Sequence, residues 1–158
     1  MKMRLERFTE ADAALFTRLA FNEEVMRMNY GRTFTAEEAE GVFGAMLEMN
    51  GSEDGLGYYK VFLGDEYAGL GALCEGEEEG ALEIEYMLLP ACWGRGCGTE
   101  LVKTLTEKAA EHGAARIRAI TDPKNVGSQR VLEKNGFAPV KRYLNDEGEP
   151  VVLYERAI

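Results

Sequence analysis

The chain has 158 residues, of which 46% are apolar and 29% are charged, and its formal net charge is −10 at pH 7. This length suits one domain with a core of its own, so we expect a single domain over residues 1–158. The negative charge argues against a nucleic-acid partner and favours a cationic one, although an acidic surface also serves solubility.

Neither a membrane segment nor a metal site is visible in the sequence. No apolar run approaches the roughly 20 residues that span a bilayer, and the first residues lack a hydrophobic signal core. We therefore expect a cytoplasmic protein with no membrane partner. The three cysteines, Cys74, Cys92 and Cys97, are too few and odd in number for a disulfide framework, and no Cys/His set has zinc spacing. We accordingly expect no metal.

The first half of the chain predicts a strand, three helices and two strands of a meander. Alternating apolar and charged residues indicate the first strand. Thr35 with Glu38 three residues later forms a capping box for the third helix, whose predicted buried stripe includes Val42 and Phe43. A polar loop is predicted over 50–55. The predicted elements are a strand over 2–8, helices over 9–20, within 21–34 and from 35, and strands over 58–63 and 67–74.

The second half predicts a third meander strand followed by alternating helices and strands. Gly113 and Gly136 end the two helices, since glycine suits the residue after a helix. The predicted elements are strands over 82–89, 115–121, 137–144 and 151–156, and helices over 99–111 and 126–135. The fold class is therefore α/β (α+β), with a mixed, mostly antiparallel sheet of six to seven strands flanked by about four helices.

Glycines at alternate positions follow the third meander strand. The strand runs to Pro90, then come Gly94, Gly96 and Gly98, and a helix is predicted from Thr99. Glycine lets a backbone approach a ligand closely, and a helix N-terminus offers free N–H groups, so the stretch predicts a phosphate-binding turn. It matches neither the P-loop nor the dinucleotide-binding pattern. An ordinary glycine-rich turn and a nucleotide-binding α/β protein stay open as alternatives.

Two motifs resemble the GNAT superfamily of N-acetyltransferases, and within it the RimJ/RimL-type branch. Residues 93–98, Trp-Gly-Arg-Gly-Cys-Gly, are similar to the acyl-CoA pyrophosphate loop of that family, with Trp93 in place of Gln or Arg. Residues 125–137, N-V-G-S-Q-R-V-L-E-K-N-G-F, resemble the family segment N-x-x-S-x-x-V-L-E-K-x-G-F. The resemblance implies the GNAT fold and transfer of an acetyl group from acetyl-CoA to an amine.

The resemblance also implies a set of acetyl-CoA contacts. The strand before the loop diverges from its neighbour and pairs with pantetheine through backbone groups of Tyr86, Met87 and Leu88. The pyrophosphate lies on backbone amides of Gly94, Arg95, Gly96, Cys97, Gly98 and Thr99. Asn125 hydrogen-bonds the cofactor arm near its thiol end.

Catalytic candidates follow from the needs of acetyl transfer, which are a base for the amine and donors for the oxyanion and the thiolate. Family members often carry a base on the strand before the loop, where Glu83 and Glu85 lie two residues apart and share a face unless a bulge intervenes. Solvent-facing carboxylates are the alternative. The N–H of Leu88 is the candidate oxyanion donor.

The acid that many family members place on the later helix is absent, because Leu132 occupies the position of its tyrosine. Ser128 matches the serine of the RimJ/RimL-type pattern, although a first-turn hydroxyl can instead bond its own helix. Tyr143 and Tyr86 are further candidates.

The sequence thus predicts direct acetyl transfer from acetyl-CoA to a primary amine, either a protein N-terminus or a small cationic amine. An acyl-CoA-binding sensor or interaction module without catalysis is the alternative. We also expect a possible homodimer, because the C-terminal strands are exposed.

Overall fold

Seven strands form one mixed sheet in the computed structural model, which describes residues 2–51 and 54–158. The strands are β1 (Met3–Arg7), β2 (Gly57–Leu63), β3 (Glu66–Glu75), β4 (Ala81–Leu88), β5 (Arg116–Thr121), β6 (Ala138–Leu144) and β7 (Pro150–Ala157). Their order across the sheet is β1-β2-β3-β4-β5-β7-β6. Neighbouring strands are antiparallel, except that β4 and β5 are parallel. The predicted fold class is confirmed.

Five α-helices accompany the sheet in the described residues, one more than the expected number of about four. They are α1 (Ala13–Ala20), α2 (Glu23–Asn29), α3 (Ala36–Met49), α4 (Cys97–Glu111) and α5 (Val126–Lys134). The short α2 is a separate helix because Asn22 caps it, its side chain accepting from the Val25 N–H at 3.1 Å. Thr35 and Glu38 form the predicted capping box of α3. Residues 52 and 53 of the predicted polar loop lie outside the described residues.

The helices cover the two faces of the sheet with two separate cores. On one face, Phe16 of α1 stacks on Phe43 of α3 above Leu70 of β3. On the other face, Leu101 and Leu105 of α4 belong to a cluster that also contains residues of β3, β4, β5 and β7. Each buried side chain of this size stabilises the fold by about 1.5–3 kcal/mol. None of the helices in the described residues is long and apolar enough to cross a bilayer.

The sheet opens between β4 and β5, as the family resemblance implies. The two strands pair from Ala81 with Arg116 to Ile84 with Ala119 and then separate. β5 continues along β7, where Ile120 pairs with Leu153. β4 continues along β3 without a register shift, so no bulge alters which face its side chains meet. The second half of β4 therefore has one free edge, and the functional cavities lie there.

Candidate active site

Two cavities meet at the free edge of β4. We call the first the loop cavity; its volume is about 520 Å³, and its lining includes Gly94, Gly96–Thr99, and Arg130, Val131 and Lys134 on α5. We call the second the acidic cavity; its volume is about 420 Å³, and its lining includes Glu83, Glu85 and Asp122. Five residues line both cavities: Asn29, Tyr86, Met87, Asn125 and Ser128. These shared residues mark the junction at which two substrates can meet.

The glycine loop presents free backbone N–H groups to the loop cavity. Gly94 and Gly96 have φ values of 71° and 79°, a conformation that favours glycine. Helix α4 begins at Cys97, two residues before the predicted start, and its first intrahelical bond runs from Glu100 N to Gly96 O at 3.1 Å. The N–H groups of the first turn, at 97–99, therefore have no partner within the helix and suit an anion.

The third glycine of the loop serves a different purpose. Gly98 lies inside α4, and a Cβ added to it would lie 3.2 Å from Cγ2 of Val131 in α5. A side chain here would require Val131 to move by a few tenths of an ångström. The close approach of α4 and α5 in turn narrows the loop cavity, because both helices line it.

Cationic side chains of the loop cavity come mainly from α5. Arg130 and Lys134 are four residues apart and line the cavity together with Arg27 of α2. The Arg95 side chain instead donates to the Ala91 carbonyl at 3.2 Å and is not part of the lining. The i, i+4 spacing of Arg130 and Lys134 is a sequence signal of this positive charge that the motifs did not reveal, because residues so spaced share one face of a helix.

The backbone of β4 alternates between its two neighbours. The Gly80 carbonyl accepts from the Ala115 N–H at 2.9 Å, and the Leu89 N–H donates to Ala68 O at 2.8 Å. The N–H and C=O of even-numbered residues therefore face β5, and those of odd-numbered residues face β3. Beyond the last β4–β5 pair, the N–H groups of Tyr86 and Leu88 face the gap.

Met87 and Trp93 narrow the predicted set of backbone contacts. The Met87 carbonyl points at β3, where a Cβ on Gly69 would lie 2.1 Å from it, so Met87 can offer only its side chain to the gap. The Trp93 indole N–H donates to the Leu88 carbonyl at 2.8 Å. Trp93 thus satisfies a carbonyl that the separation of the strands leaves without a β5 partner, and it ties the loop to the end of β4.

Glu83 and Glu85 both line the acidic cavity but differ in their surroundings. Glu83 is half-buried, and burial raises the pKa of its carboxyl, with further increases from the charges of Glu77 and Glu85 and an opposing effect of Arg118. A carboxylate of raised pKa in a cavity is a candidate base.

Glu85 is held by a tyrosine from two strands away. Tyr58 of β2, Ala72 of β3 and Glu85 of β4 lie in one row of the sheet. Because Ala72 is small, the Tyr58 hydroxyl reaches across it and donates to Glu85 Oε2 at 3.0 Å. Burial, followed by the charge of Glu85, raises the pKa of Tyr58, so the phenol stays protonated. Glu85 therefore has one carboxylate oxygen engaged by a hydrogen bond.

Asn125, Ser128 and Tyr86 form a hydrogen-bonded group at the junction of the cavities. Asn125 caps α5 by accepting from the Ser128 N–H at 3.1 Å, and its amide donates to the Met28 carbonyl at 3.4 Å. Ser128 Oγ lies 2.8 Å from the hydroxyl of Tyr86. Within the described residues it bonds no carbonyl of its own helix, so the alternative reading of Ser128 as a back-bonded first-turn hydroxyl does not hold.

Tyr143 lies apart from the other catalytic candidates. It belongs to the edge strand β6 and lines neither cavity, and its ring lies 5.0 Å from Lys141 Nζ. Burial raises the pKa of Tyr143, and Glu83 and Glu77 raise it further. Tyr143 therefore shares the electrostatic surroundings of Glu83 without reaching the cavity junction.

The sequence of the chain matches the model of a known protein family. The model described as an acetyltransferase (GNAT) domain matches residues 2–138, which is most of the chain. The chain belongs to the GNAT acetyltransferase family. Comparison with curated protein sequences gives no match.

Solved structures share the fold of this acetyltransferase at low sequence identity. A GNAT-family acetyltransferase from Bacillus anthracis has a TM-score of 0.81 and 20% identity, covering 99% of this chain and 95% of that one. One from Streptococcus pneumoniae has a TM-score of 0.70 and 17% identity, covering 99% of both chains. The aminoglycoside acetyltransferase AAC(6')-Ib, in complex with coenzyme A and kanamycin, has a TM-score of 0.81 and 22% identity. The match covers 99% of this chain and 95% of that one.

The loop cavity of this acetyltransferase fits acetyl-CoA, which is the acyl donor of the family and which AAC(6')-Ib also holds in a further structure. Free N–H groups at the start of α4 suit the pyrophosphate, and Arg130 and Lys134 add positive charge where the whole chain is negative. The free edge of β4 suits the amides of pantetheine. The described residues contain no cluster of three or more His, Cys, Asp or Glu side chains that could hold a metal ion.

The acidic cavity contains residues that sequence reasoning missed. Val42 of α3 was predicted to be buried, but it is 39% exposed and lines this cavity with Tyr30 and Phe34. Tyr58 and Asp122 also line it. No local motif marks these positions, because the lining comes from elements far apart in the sequence.

Proposed function

We propose that this acetyltransferase transfers the acetyl group of acetyl-CoA directly to the primary amine of a small cationic acceptor in the cytoplasm. One observation carries the proposal: the loop cavity and the acidic cavity meet at Tyr86 and Ser128, with Glu83 on the acceptor side. A donor and an acceptor bound in the two cavities would therefore meet at one point, which is what direct transfer requires.

The lining of the acidic cavity supports an acceptor with both a cationic and an apolar part. Glu83, Glu85 and Asp122 supply negative charge on one side. Aromatic and aliphatic side chains supply the other wall, at Phe16, Met26, Tyr30, Phe34, Val42 and Met46. Aromatic faces and carboxylates together suit an ammonium group attached to an apolar body.

Three groups have the positions that the reaction needs. Glu83, with its raised pKa, accepts a proton from the incoming ammonium group so that the amine becomes a nucleophile. The Leu88 N–H faces the gap and donates to the acetyl carbonyl oxygen as negative charge develops there. Ser128 donates to the departing sulfur.

A direct mechanism is also consistent with the nearby Cys74. Burial, with the charge of Glu85 as a second cause, raises the pKa of this thiol to about 12, so the thiol is protonated at neutral pH. Cys74 lines neither cavity. It therefore lacks both the charge and the position of an acetyl-carrying nucleophile.

A protein N-terminus is the second candidate acceptor. The motif over 93–98 and the serine pattern over 125–137 resemble the RimJ/RimL-type branch, and an N-terminal residue with an apolar side chain would also match the mixed lining. Kanamycin, the aminoglycoside bound to AAC(6')-Ib, is a third acceptor to include in an assay.

The experiment is to measure thiol release from acetyl-CoA with a panel of amines, together with CoA binding by calorimetry. The panel holds arylalkylamines, polyamines, an aminoglycoside, and a peptide in its free and N-acetylated forms. Amine-stimulated release that Glu83→Gln abolishes supports the enzyme. CoA binding with no stimulation by any amine supports the non-catalytic sensor. If ADP displaces CoA with equal affinity, the pantetheine contacts are absent and the site is a general nucleotide site.

The proposal includes a homodimer formed through the edge strand β6. Val140 and Leu144 of this strand are 52% and 67% exposed. Exposed apolar side chains on an unpaired edge favour strand pairing between copies. Light scattering after gel filtration tests the assembly, and a mass near the 17.5 kDa of one chain contradicts it.

A further inference from the structure

Tyr86 and Ser128 form a hydrogen bond across the opening in the sheet. Tyr86 belongs to β4 and Ser128 to the first turn of α5, and both line both cavities. The two hydroxyl oxygens lie 2.8 Å apart, and the Ser128 carbonyl lies 3.4 Å from the tyrosine oxygen. The shorter contact is the stronger hydrogen bond.

The direction of this bond decides what Ser128 can do. If Ser128 donates to Tyr86, its proton is occupied and it has only lone pairs to offer to a negatively charged sulfur. If Tyr86 donates to Ser128, the serine proton is free to point into the cavity. When Tyr86 donates to Ser128, the serine can donate to an anion. Negative charge on the sulfur therefore favours this direction of the bond.

We propose that Tyr86 is a positioning residue that donates its hydroxyl proton to Ser128 Oγ and so keeps the Ser128 hydroxyl aimed at the departing thiolate of CoA. The proposal rests on the proposed function for its chemistry. Leu132 occupies the family's tyrosine position on α5, is fully buried and offers no hydroxyl. The donor to the thiolate must therefore be another residue.

Tyr86 and Ser128 stabilise the negative charge of the thiolate through hydrogen bonds while both hydroxyl groups stay protonated. Burial raises the pKa of Tyr86 to about 12, above the value of about 8.5 for a simple thiol, so a thiolate does not deprotonate the phenol. In the transfer, the carbon–sulfur bond breaks as the carbon–nitrogen bond forms, and the sulfur keeps the electron pair. Glu83 has already taken the proton that converts the ammonium group into the attacking amine; the second nitrogen proton, lost as the amide forms, leaves to solvent, and solvent later protonates the thiolate.

The first test measures the pKa of the CoA thiol in the complex of enzyme and CoA, from the ultraviolet absorbance of the thiolate. Tyr86→Phe is expected to raise this pKa by about one unit, a tenfold loss of thiolate preference. Ser128→Ala is expected to raise it at least as much, and the double variant no more than Ser128→Ala alone, because Tyr86 acts through Ser128. The loop cavity is also lined by the charged residues Glu24, Arg27, Arg130 and Lys134. These residues are the same in every variant, so their effect on the thiol pKa cancels when variants are compared.

A second ligand and a matched variant serve as controls. Affinity for desulfo-CoA, which has no sulfur, is expected to change by less than about twofold in Tyr86→Phe, since only the sulfur contact is lost. Tyr154→Phe removes a hydroxyl that bonds Gln129, the neighbour of Ser128 on α5, at 3.4 Å and is expected to leave the thiol pKa unchanged. Melting temperatures identify variants that fail to fold, and Ser128→Ala probes the same bond without altering the tyrosine.

The outcomes separate this inference from the proposed function. An unchanged thiol pKa in Tyr86→Phe overturns the inference, as does an additive double variant, which would mean that Tyr86 acts without Ser128. If the thiol pKa shifts as expected but no amine is acetylated, the inference stands and the proposed function fails. Wild-type protein that does not bind CoA overturns both.

Discussion

The loop cavity and the acidic cavity of this acetyltransferase are built by different means. The loop cavity depends on backbone groups, from the end of β4 through the first turn of α4, plus one face of α5. The acidic cavity depends on side chains from α1, α2, α3, β2, β3, β4 and β5. Backbone recognition requires glycines at fixed positions, whereas side-chain recognition tolerates many residue types. The donor site is therefore open to recognition by motif, and the acceptor site is not.

The same difference predicts how each cavity responds to substitution. A change in the loop cavity alters backbone conformation and affects donor binding. A change in the acidic cavity alters charge or orientation and affects the acceptor or the chemical step. The following predictions separate these effects, from the largest to the smallest.

Replacement of Glu83 by Gln is expected to lower kcat about 100-fold, because the amine loses its base. Replacement of Glu85 by Gln is the matched change two residues away, and it is expected to raise the KM for the amine with a smaller effect on kcat, because Glu85 is engaged by Tyr58. Steady-state kinetics with the best amine of the panel measures both. A larger loss of kcat in Glu85→Gln than in Glu83→Gln would mean that Glu85 is the base and that Glu83 binds the amine.

Replacement of Gly96 by Ala is expected to weaken CoA binding about tenfold, because a side chain at φ 79° costs about 1–2 kcal/mol in the conformation that presents the amides. Gly148→Ala is the control, since Gly148 has φ 76° in the remote β6–β7 turn and open space around it. It is expected to lower stability alone. Calorimetric titration with CoA compares the two, and equal losses of affinity would contradict a role for the loop.

Replacement of Tyr58 by Phe is expected to raise the KM for the amine about threefold, because Glu85 loses a neutral hydrogen bond of about 0.5–1.5 kcal/mol and moves more freely. Affinity for CoA is expected to stay the same. Tyr59→Phe on the same strand removes a hydroxyl that bonds Gly55 and lies outside both cavities. An effect of Tyr58→Phe on CoA binding would show that the cavities are not separate.

Replacement of Glu77 by Gln is expected to shift the acid limb of kcat/KM to lower pH by less than about one unit. The charge of Glu77 raises the pKa of Glu83, so its removal lowers that pKa and keeps the base ionised in more acidic solution. Glu79→Gln in the same turn does not act on Glu83 and serves as the control. A shift to higher pH would exclude Glu83 as the group that titrates.

The motifs predicted most of the residues that line the loop cavity and few of those that line the acidic cavity. Glycines at 94 and 96 take the positive φ that a closely approaching turn favours, whereas the role of Asn125 as the cap of α5 was not predicted. The short helix predicted within 21–34 is present as α2, whereas the start of α4 at Cys97 lies two residues before the predicted one, since helix ends depend on local capping. Val42 was placed in the core because its spacing on α3 is helical, but the cavity beside it leaves it exposed.

The sequence by itself determined the fold class and the donor loop, because hydrophobic periodicity and glycine positions act within a few neighbouring residues. Only the tertiary structure decided which strand edge is free, that the Met87 backbone faces β3, and that Glu85 is held by Tyr58 across Ala72. It also decided that Ser128 meets Tyr86 and not its own helix. The bonds of Tyr58 with Glu85 and of Tyr86 with Ser128 join residues 27 and 42 positions apart, so they exist only after the sheet and α5 have packed.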